Sequence, residues 1–187
     1  INNPVPDNFH PQANVRSKKE IKIGFVSENL NNPYKGLTTL IDALGIIGDE
    51  YSFNLRLFGN GKPPINLRRI KHSISTFKGE SAASKAYKSC DLIVVPSLED
   101  NSPSVISEAL MSGIPVIGSD AGGIPEILRD FNMPIFERGN SESLIRTLKN
   151  FKDFEIDIQT QSRINSRFSY ENSAKQHQHA YLELRNL

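Results

Sequence analysis

DLIVVPSLEDNSPSVISEALMSGIPVIG, residues 91–118, is the stretch on which the fold turns. Its opening, Asp91 to Pro96, carries a continuous apolar run, the pattern of a strand buried on both faces of a parallel sheet. A polar loop follows. SVISEALMSG then reads as a helix closed by Gly113, and Ile114 to Gly118 reads as a second buried strand. Strand, helix and strand in this order make a βαβ unit, which requires a crossover helix between parallel strands.

The same alternation extends in both directions. Upstream, Ile21 to Val26 is a short strand with partial alternation, ending in the polar loop SENLNNPY. In KGLTTLIDALGII, Leu37, Leu40, Ile41 and Leu44 fall at i, i+3, i+4 and i+7, the stripe of an amphipathic helix. Phe53 to Phe58 is a further strand, closed by GNGKPP. Ile74 to Phe77 is a weak strand, and SAASKAYKSC (81–90) a short helix. Downstream, IPEILRD (124–130) is predicted as a short helix, MPIF (133–136) as a strand, and SESLIRTLKNF (141–151) as a helix with Ser141 at its N-cap. The final segment, 169–187, is polar and helical in composition, with Ala174, Tyr181, Leu182 and Leu184 as sparse apolar contacts. Residues 1–20, rich in Asn, Pro and charge, read as a linker or entry segment. The sequence therefore predicts an α/β, Rossmann-like, doubly wound parallel sheet over 21–168, with a terminal helix behind it.

Composition narrows the function. Lys and Arg total 22 against 21 Asp and Glu in 187 residues, a net charge of +1, too balanced for a chain devoted to nucleic-acid phosphates or an anionic membrane. A single Cys makes neither an intramolecular disulfide nor a Cys-based zinc site, so a soluble, intracellular chain is expected. No apolar run approaches the roughly 20 residues of a membrane span. The start Ile1-Asn2-Asn3-Pro4 carries neither an initiator Met nor a signal-peptide core, which suggests a piece of something longer.

In doubly wound sheets ligands bind outside the carboxyl ends of the strands, so the loops there carry the chemistry. The first such loop ends in Pro33-Tyr34-Lys35-Gly36. A cation at a helix start is disfavoured by the helix dipole, and an anion lying between Lys35 and the helix amides would account for it. In the loop 96–104, Asp100, Asn101, Ser102 and Ser104 gather at the start of the helix bearing Glu108. Free N–H groups at such a terminus bind phosphate. Ser104 and Glu108, four apart, share one helix face. Carboxylates such as Asp100 and Glu108 suit sugar or ribose hydroxyls because they only accept hydrogen bonds. The plainer alternative is that Asp100 and Ser102 cap the helix and Glu108 is solvated. No GxGxxG follows a strand, Gly59-Asn60-Gly61-Lys62 lacks the spacing of a phosphate-binding loop, and His177 and His179 do not share a helix face. Cys90 is expected to be a small core residue.

Together, PSLEDNSPSVISEALMSGIPVIGSDAGGIPEIL (96–128), Lys35-Gly36 and Gly59-Asn60-Gly61 resemble the C-terminal, nucleotide-sugar-binding domain of retaining GT-B glycosyltransferases of the group 1, family 4 class. That family carries two acidic residues eight positions apart after a buried strand ending in Pro-Ser, then Ala-x-x-x-Gly-x-Pro-Val and Gly-Gly-x-x-Glu. Asp100 and Glu108 stand at the acidic positions, and Ala109, Gly113, Pro115, Val116, Gly122, Gly123 and Glu126 match the rest. The chain also departs from the pattern. Its first acid is Asp rather than Glu, and the family's Arg shortly before Lys-Gly has no counterpart in SENLNNPY.

The resemblance implies a fold, the C-terminal half of a GT-B enzyme, and a set of roles. Lys35 would contact the donor diphosphate, Asp100 would lie by the donor sugar, and Glu108 would hold the nucleotide ribose. Gly36, Asn101, Ser102, Ser104 and Val105 would surround phosphate or sugar oxygens, with the base near Phe77. The implied activity is transfer of a hexose, with retention, from a UDP-, GDP- or ADP-sugar to a glycan or lipid-linked acceptor. No metal and no cofactor beyond the donor is implied, and the acceptor domain would precede this chain, leaving it inactive alone. The implied location is cytoplasmic, with a peripheral seat at the membrane open to the full-length enzyme. The other functional class to be weighed is a non-catalytic nucleotide-binding or interaction module of the same fold. A sugar nucleotide 2-epimerase shares the architecture, but its landmark residues are not evident.

Overall fold

Six parallel strands in the order β3-β2-β1-β4-β5-β6 make the sheet. The computed structural model describes residues 3–6, 8–11, 20–48, 50–64, 67, 70–150 and 155–184. The strands are β1 (Ile21–Asn29), β2 (Phe53–Asn60), β3 (His72–Ser75), β4 (Leu92–Val95), β5 (Val116–Ser119) and β6 (Ile135–Phe136). Between them run α1 (Leu37–Ile47), α2 (Glu80–Lys88), α3 (Ser104–Met111) and α4 (Ile124–Arg129), and then come α5 (Ser141–Lys149), α6 (Ile158–Phe168) and α7 (Tyr170–Leu184).

The continuous apolar run of β4 is explained by two cores. Leu92 and Val94 enter one cluster with the helices α1 and α5, while Ile93 and Val95 enter the other with residues of α2, α3, α4 and α6. Side chains alternate across a strand, so only a sheet covered on both faces needs apolar residues at every position. β1 and β4 pair in parallel through Ile23 to Leu92 and Gly24 to Ile93. Close approach is required here, because a β-carbon on Gly24 would lie 2.4 Å from Ile93 Cδ1 and 2.8 Å from Cys90 Sγ.

Four expectations change in detail. β3 occupies 72–75 rather than 74–77, and all four residues are exposed. It is an edge strand held by backbone pairing with β2, so its apolar content does not mark it. The N-cap of α5 is Asn140, whose side chain accepts from the Ser143 N–H at 2.9 Å, and Ser141 is the first helical residue. The apolar residues named for the terminal helix make little contact: Tyr181 is 68% and Leu182 49% exposed, and Ala174 is exposed as well. Leu184's side chain, Phe151 and residues 185–187 lie outside the described residues.

The fourth change is α6, which the sequence reading left unassigned. Asp157 caps it by accepting from Thr160 N–H at 2.7 Å, and it buries Ile164 and Phe168, one turn apart. Arg163 and Arg167 lie over the ring of Phe131. Part of the entry segment is also built into the fold. Val5 and Phe9 are buried in the α2–α3–α4 core, and Val5 N–H donates to the Phe168 carbonyl at 2.9 Å. Residues 1, 2, 7 and 12–19 of that segment are outside the described set. Among the described residues no helix is long and apolar enough to cross a membrane.

Cys90 is 1% exposed, as expected of a core residue, and burial pushes its thiol up from 9.0 to about 11. Burial and the neighbouring Glu108 also hold the Tyr87 hydroxyl well above its ordinary 10.0. Both groups ionise more easily in the unfolded chain. The contribution of the neutral Cys90 thiol is therefore complete below pH 9.0 and is lost as pH rises through about 11, while that of Tyr87 starts to be lost only above its ordinary 10.0. Thermal unfolding followed by circular dichroism should show a midpoint that falls across this window, with a shallower fall in Cys90→Ala.

Candidate functional site

The strand order reverses direction between β1 and β4, and an open cavity of about 470 Å³ lies outside the carboxyl ends of these strands. Val26, Ser27 and Glu28 of β1 form one wall, and Phe58, Gly59 and Asn60 of β2 another. Thr76 and Phe77 follow β3. Tyr87 comes from α2, while Ser104, Val105 and Glu108 come from α3, with Lys35 at the mouth of α1. A second cavity of about 380 Å³ is lined by Glu99, Asp100, Asn101, Gly122 and Arg138.

The two cavities meet at an ion pair. Lys35 Nζ donates to Asp100 Oδ2 at 2.6 Å, with side-chain exposures of 34% and 12%. Lys35 is carried there by a 3-10 turn, Pro33–Lys35, capped by the Asn32 side chain accepting from Tyr34 N–H. The turn ends at Gly36, which has φ +67, a left-handed conformation that disfavours any residue with a β-carbon. A β-carbon there would also lie 1.8 Å from the Pro96 carbonyl oxygen.

The loop carrying Asp100 is held from several sides. Leu98 N–H donates to the Tyr34 carbonyl at 2.7 Å, the Ser119 hydroxyl donates to the Ser97 carbonyl at 2.6 Å, and Gly123 N–H donates to the Asp100 carbonyl at 3.1 Å. At the start of α3 the N-cap residue is Pro103, and no side chain caps the helix. Asp100 and Ser102 are therefore not capping residues. The amides of the first turn, at Ser104 and Val105, stand at the cavity wall without a side-chain acceptor.

Of the residues singled out from the sequence, Lys35, Phe77, Ser104, Val105 and Glu108 line the first cavity, and Asp100 and Asn101 line the second. Gly36 and Ser102 line neither. Gly36 is buried, and its N–H is already donated to the Pro33 carbonyl at 3.2 Å, so it seats Lys35 rather than facing the cavity. Ser102 is exposed. Phe77 packs on Phe58 with ring centroids 6.1 Å apart, which leaves a partly open aromatic wall.

Among the lining residues that escaped the sequence reading, three bear most on the chemistry. Tyr87 donates its hydroxyl to Glu108 Oε2 at 2.7 Å. Its signal was available: it is the aromatic residue on the buried side of α2, with Ala83 one turn before it, and a buried tyrosine hydroxyl needs an acceptor. Glu28, near the carboxyl end of β1, also lines the first cavity. Arg138 faces the second cavity, held by its backbone N–H donating to Asp120 Oδ1 at 2.9 Å. Among the described residues, no group of three or more His, Cys, Asp or Glu side chains is placed to hold a metal ion.

An all-parallel sheet of this order, with a cleft at its switch point walled by an aromatic ring, a lysine and helix-start amides, defines a Rossmann-like α/β ligand-binding domain. Known proteins agree on the fold and supply the family. The family description "Glycosyl transferases group 1" matches residues 20–151, and the chain belongs to that family. An uncharacterized glycosyltransferase of Methanocaldococcus jannaschii is 29% identical over 120 residues, 60% of this chain and 33% of the relative. Among solved structures, sucrose-phosphate synthase from Thermosynechococcus elongatus matches with a TM-score of 0.73 at 20% identity, covering 99% of this chain and 52% of that one. The Anabaena protein HepE, solved in complex with UDP and glucose, matches with a TM-score of 0.65 at 22% identity, covering 90% and 49%. The chain thus spans about a third to a half of the length of the proteins it matches.

The ion pair sets a competition for Lys35. An anion arriving in the first cavity competes with Asp100 for the ammonium, and a partly exposed pair of this kind contributes about 0.2–1 kcal/mol. Asp100→Asn is therefore expected to bind inorganic pyrophosphate up to about fivefold more tightly than the parent chain in a calorimetric titration. Lys35→Ala should weaken it.

Proposed function

We propose that this chain is the donor-binding domain of a glycosyltransferase that moves a hexose from a nucleoside diphosphate sugar to a hydroxyl of a glycan or lipid-linked acceptor, with retention. The observation that carries the reading is the convergence of Lys35, the Ser104 and Val105 amides, Glu108 and Phe77 on one cavity at the switch point. HepE, which shares this fold, was solved with UDP and glucose, and that supports a nucleotide sugar as the ligand.

Each group then has a task. Glu108 accepts hydrogen bonds from the ribose hydroxyls, Phe77 offers its face to the base, and Lys35 with the first-turn amides of α3 meets the diphosphate. Asp100, released from Lys35, accepts from hydroxyls of the sugar in the second cavity. As the glycosidic bond breaks, negative charge builds on the departing diphosphate, and Lys35 and the amides are already aimed at it. Donors fixed before the reaction stabilise that charge without reorganisation. The acceptor would be bound by a preceding domain, so this chain alone should bind donor and transfer little or no sugar.

A non-catalytic nucleotide-binding module is the second reading, favoured by one observation: Lys35 is the only Lys or Arg among the described residues lining the first cavity, and Glu28 lines it too. Joining this chain to the preceding part of its protein and assaying hydrolysis of nucleotide sugars separates the two, since release of free sugar belongs to the enzyme alone.

Calorimetric titration of the chain with UDP, GDP and ADP is the direct test. At least one should bind, and Lys35→Ala and Glu108→Ala should each weaken it about tenfold or more, the scale expected for a charged hydrogen bond. Binding to none of the three, or binding untouched in both variants, overturns the reading.

A further inference from the structure

We infer that Tyr87 is a positioning residue that aims Glu108 at the ribose and so sets the preference of this cleft for a ribonucleotide; the inference rests on the proposed role of Glu108 as ribose acceptor. Glu108 is only partly buried and stands on α3, where a glutamate side chain has three rotatable bonds and its carboxylate is otherwise free to swing into solvent. Tyr87 removes that freedom. Its hydroxyl donates to Glu108 Oε2 at 2.7 Å, and its ring, 1% exposed, cannot follow a wandering carboxylate.

The ring is itself fixed from outside the sheet. Phe9, 3% exposed and contributed by the entry segment, packs edge-on against Tyr87 with centroids 5.8 Å apart at 64°. Phe9, Tyr87 and Glu108 thus form a chain of contacts from the N-terminal segment to the cavity. Ionisation of the hydroxyl is suppressed by burial and by Glu108, so Tyr87 stays a donor throughout the neutral range.

The chemistry of the pair is complementary to a vicinal diol. A carboxylate has two oxygens and about four acceptor positions. Tyr87 occupies one position on Oε2 and leaves the rest for a ligand. Two ribose hydroxyls are best gripped when both oxygens are fixed in one plane, and a single buried donor fixes that plane. Without Tyr87 the carboxylate would still be present but unaimed, and binding of the rest of the nucleotide would be spared.

The test compares whichever of UDP, GDP and ADP binds tightest with its 2′,3′-dideoxy counterpart, by calorimetry, in the parent chain, Tyr87→Phe, Glu108→Gln and the double variant. Tyr87→Phe should cut the ribo-over-dideoxy preference at least fivefold while leaving dideoxynucleotide affinity within about twofold of the parent. In the double variant the preference should be no lower than in Glu108→Gln. Should Tyr87→Phe fail to fold, Phe9→Leu, which loosens the ring and keeps an apolar residue, is expected to lower the preference about twofold. A preference that is lost in Glu108→Gln but intact in Tyr87→Phe, or in Phe9→Leu where that variant stands in, overturns this inference alone. A Tyr87→Phe variant that weakens ribo and dideoxy ligands equally does the same, since that is a structural role only. A parent chain with no nucleotide affinity overturns the donor-binding reading and this inference with it.

Discussion

The carbonyl of Pro96 sits where a β-carbon of Gly36 would lie, 1.8 Å from it, and the carbonyl of Asn101 sits 2.0 Å from the corresponding position on Gly123. These two backbone-to-backbone contacts clamp the loop leaving β4 between the start of α1 and the start of α4. Any side chain at either glycine would have to displace main chain rather than a flexible group. The loop is consequently placed by packing, and its hydrogen bonds with Tyr34, Ser119 and Gly123 follow from that placement. Lys35 and Asp100 face each other at 2.6 Å because the residues beside them are wedged together, not because a partly exposed ion pair is strong enough to hold two segments.

The two cores supply the rigidity behind the clamp. β4 and β5 are buried on both faces, so the elements from which α3 and its preceding loop depart have little freedom to shift. α3 buries Ile106, Ala109 and Leu110, which fixes the rotation of the helix about its axis. Ser104 and Glu108, on the same face one turn apart, are then presented to the cavity, while Ser107 turns back to donate to the Ser104 carbonyl at 2.9 Å. Tyr87 adds a constraint from α2 that neither the strand nor α3 supplies.

The fold was legible wherever burial on two faces leaves an unbroken apolar run, as at Leu92–Val95, or where a helix shows one apolar stripe, as at Leu37, Leu40, Ile41 and Leu44. It was least legible where the apolar pattern is thin: the edge strand was read at 74–77 instead of 72–75, and one polar helix was not read. The exposed strand His72–Ser75 and the polar helix Ile158–Phe168, anchored by Ile164, Phe168 and guanidinium contacts with Phe131, leave little hydrophobic pattern. Within the site, residues at one helix start (Ser104, Val105, Glu108) were readable because spacing on a helix is geometry. Arg138 reaches its cavity from another loop, which no local spacing encodes, and Tyr87 showed in the sequence only as a buried ring on α2 in need of an acceptor. Gly36 was read as facing a ligand, whereas its left-handed turn and its contact with Pro96 make it the seat of Lys35.

Local charge differs from what the balanced total of +1 suggests. The two cavities together are lined by four carboxylates, Glu28, Glu108, Glu99 and Asp100, and by two cations, Lys35 and Arg138. A carboxylate-rich cleft attracts hydroxyls and repels anions, so a diphosphate is admitted only if its charge is met at one point. The magnitudes identify that point. Lys35 carries a full unit charge, whereas a helix start carries about half of one. In the donor-binding proposal, Lys35 decides whether an anion enters, the amides of α3 fix where it rests, and the carboxylates on either side select a ligand whose remaining surface is hydroxyl-bearing. A nucleoside diphosphate sugar, with a diol on one side of its diphosphate and a polyol on the other, has that distribution of groups, and a free polyanion does not.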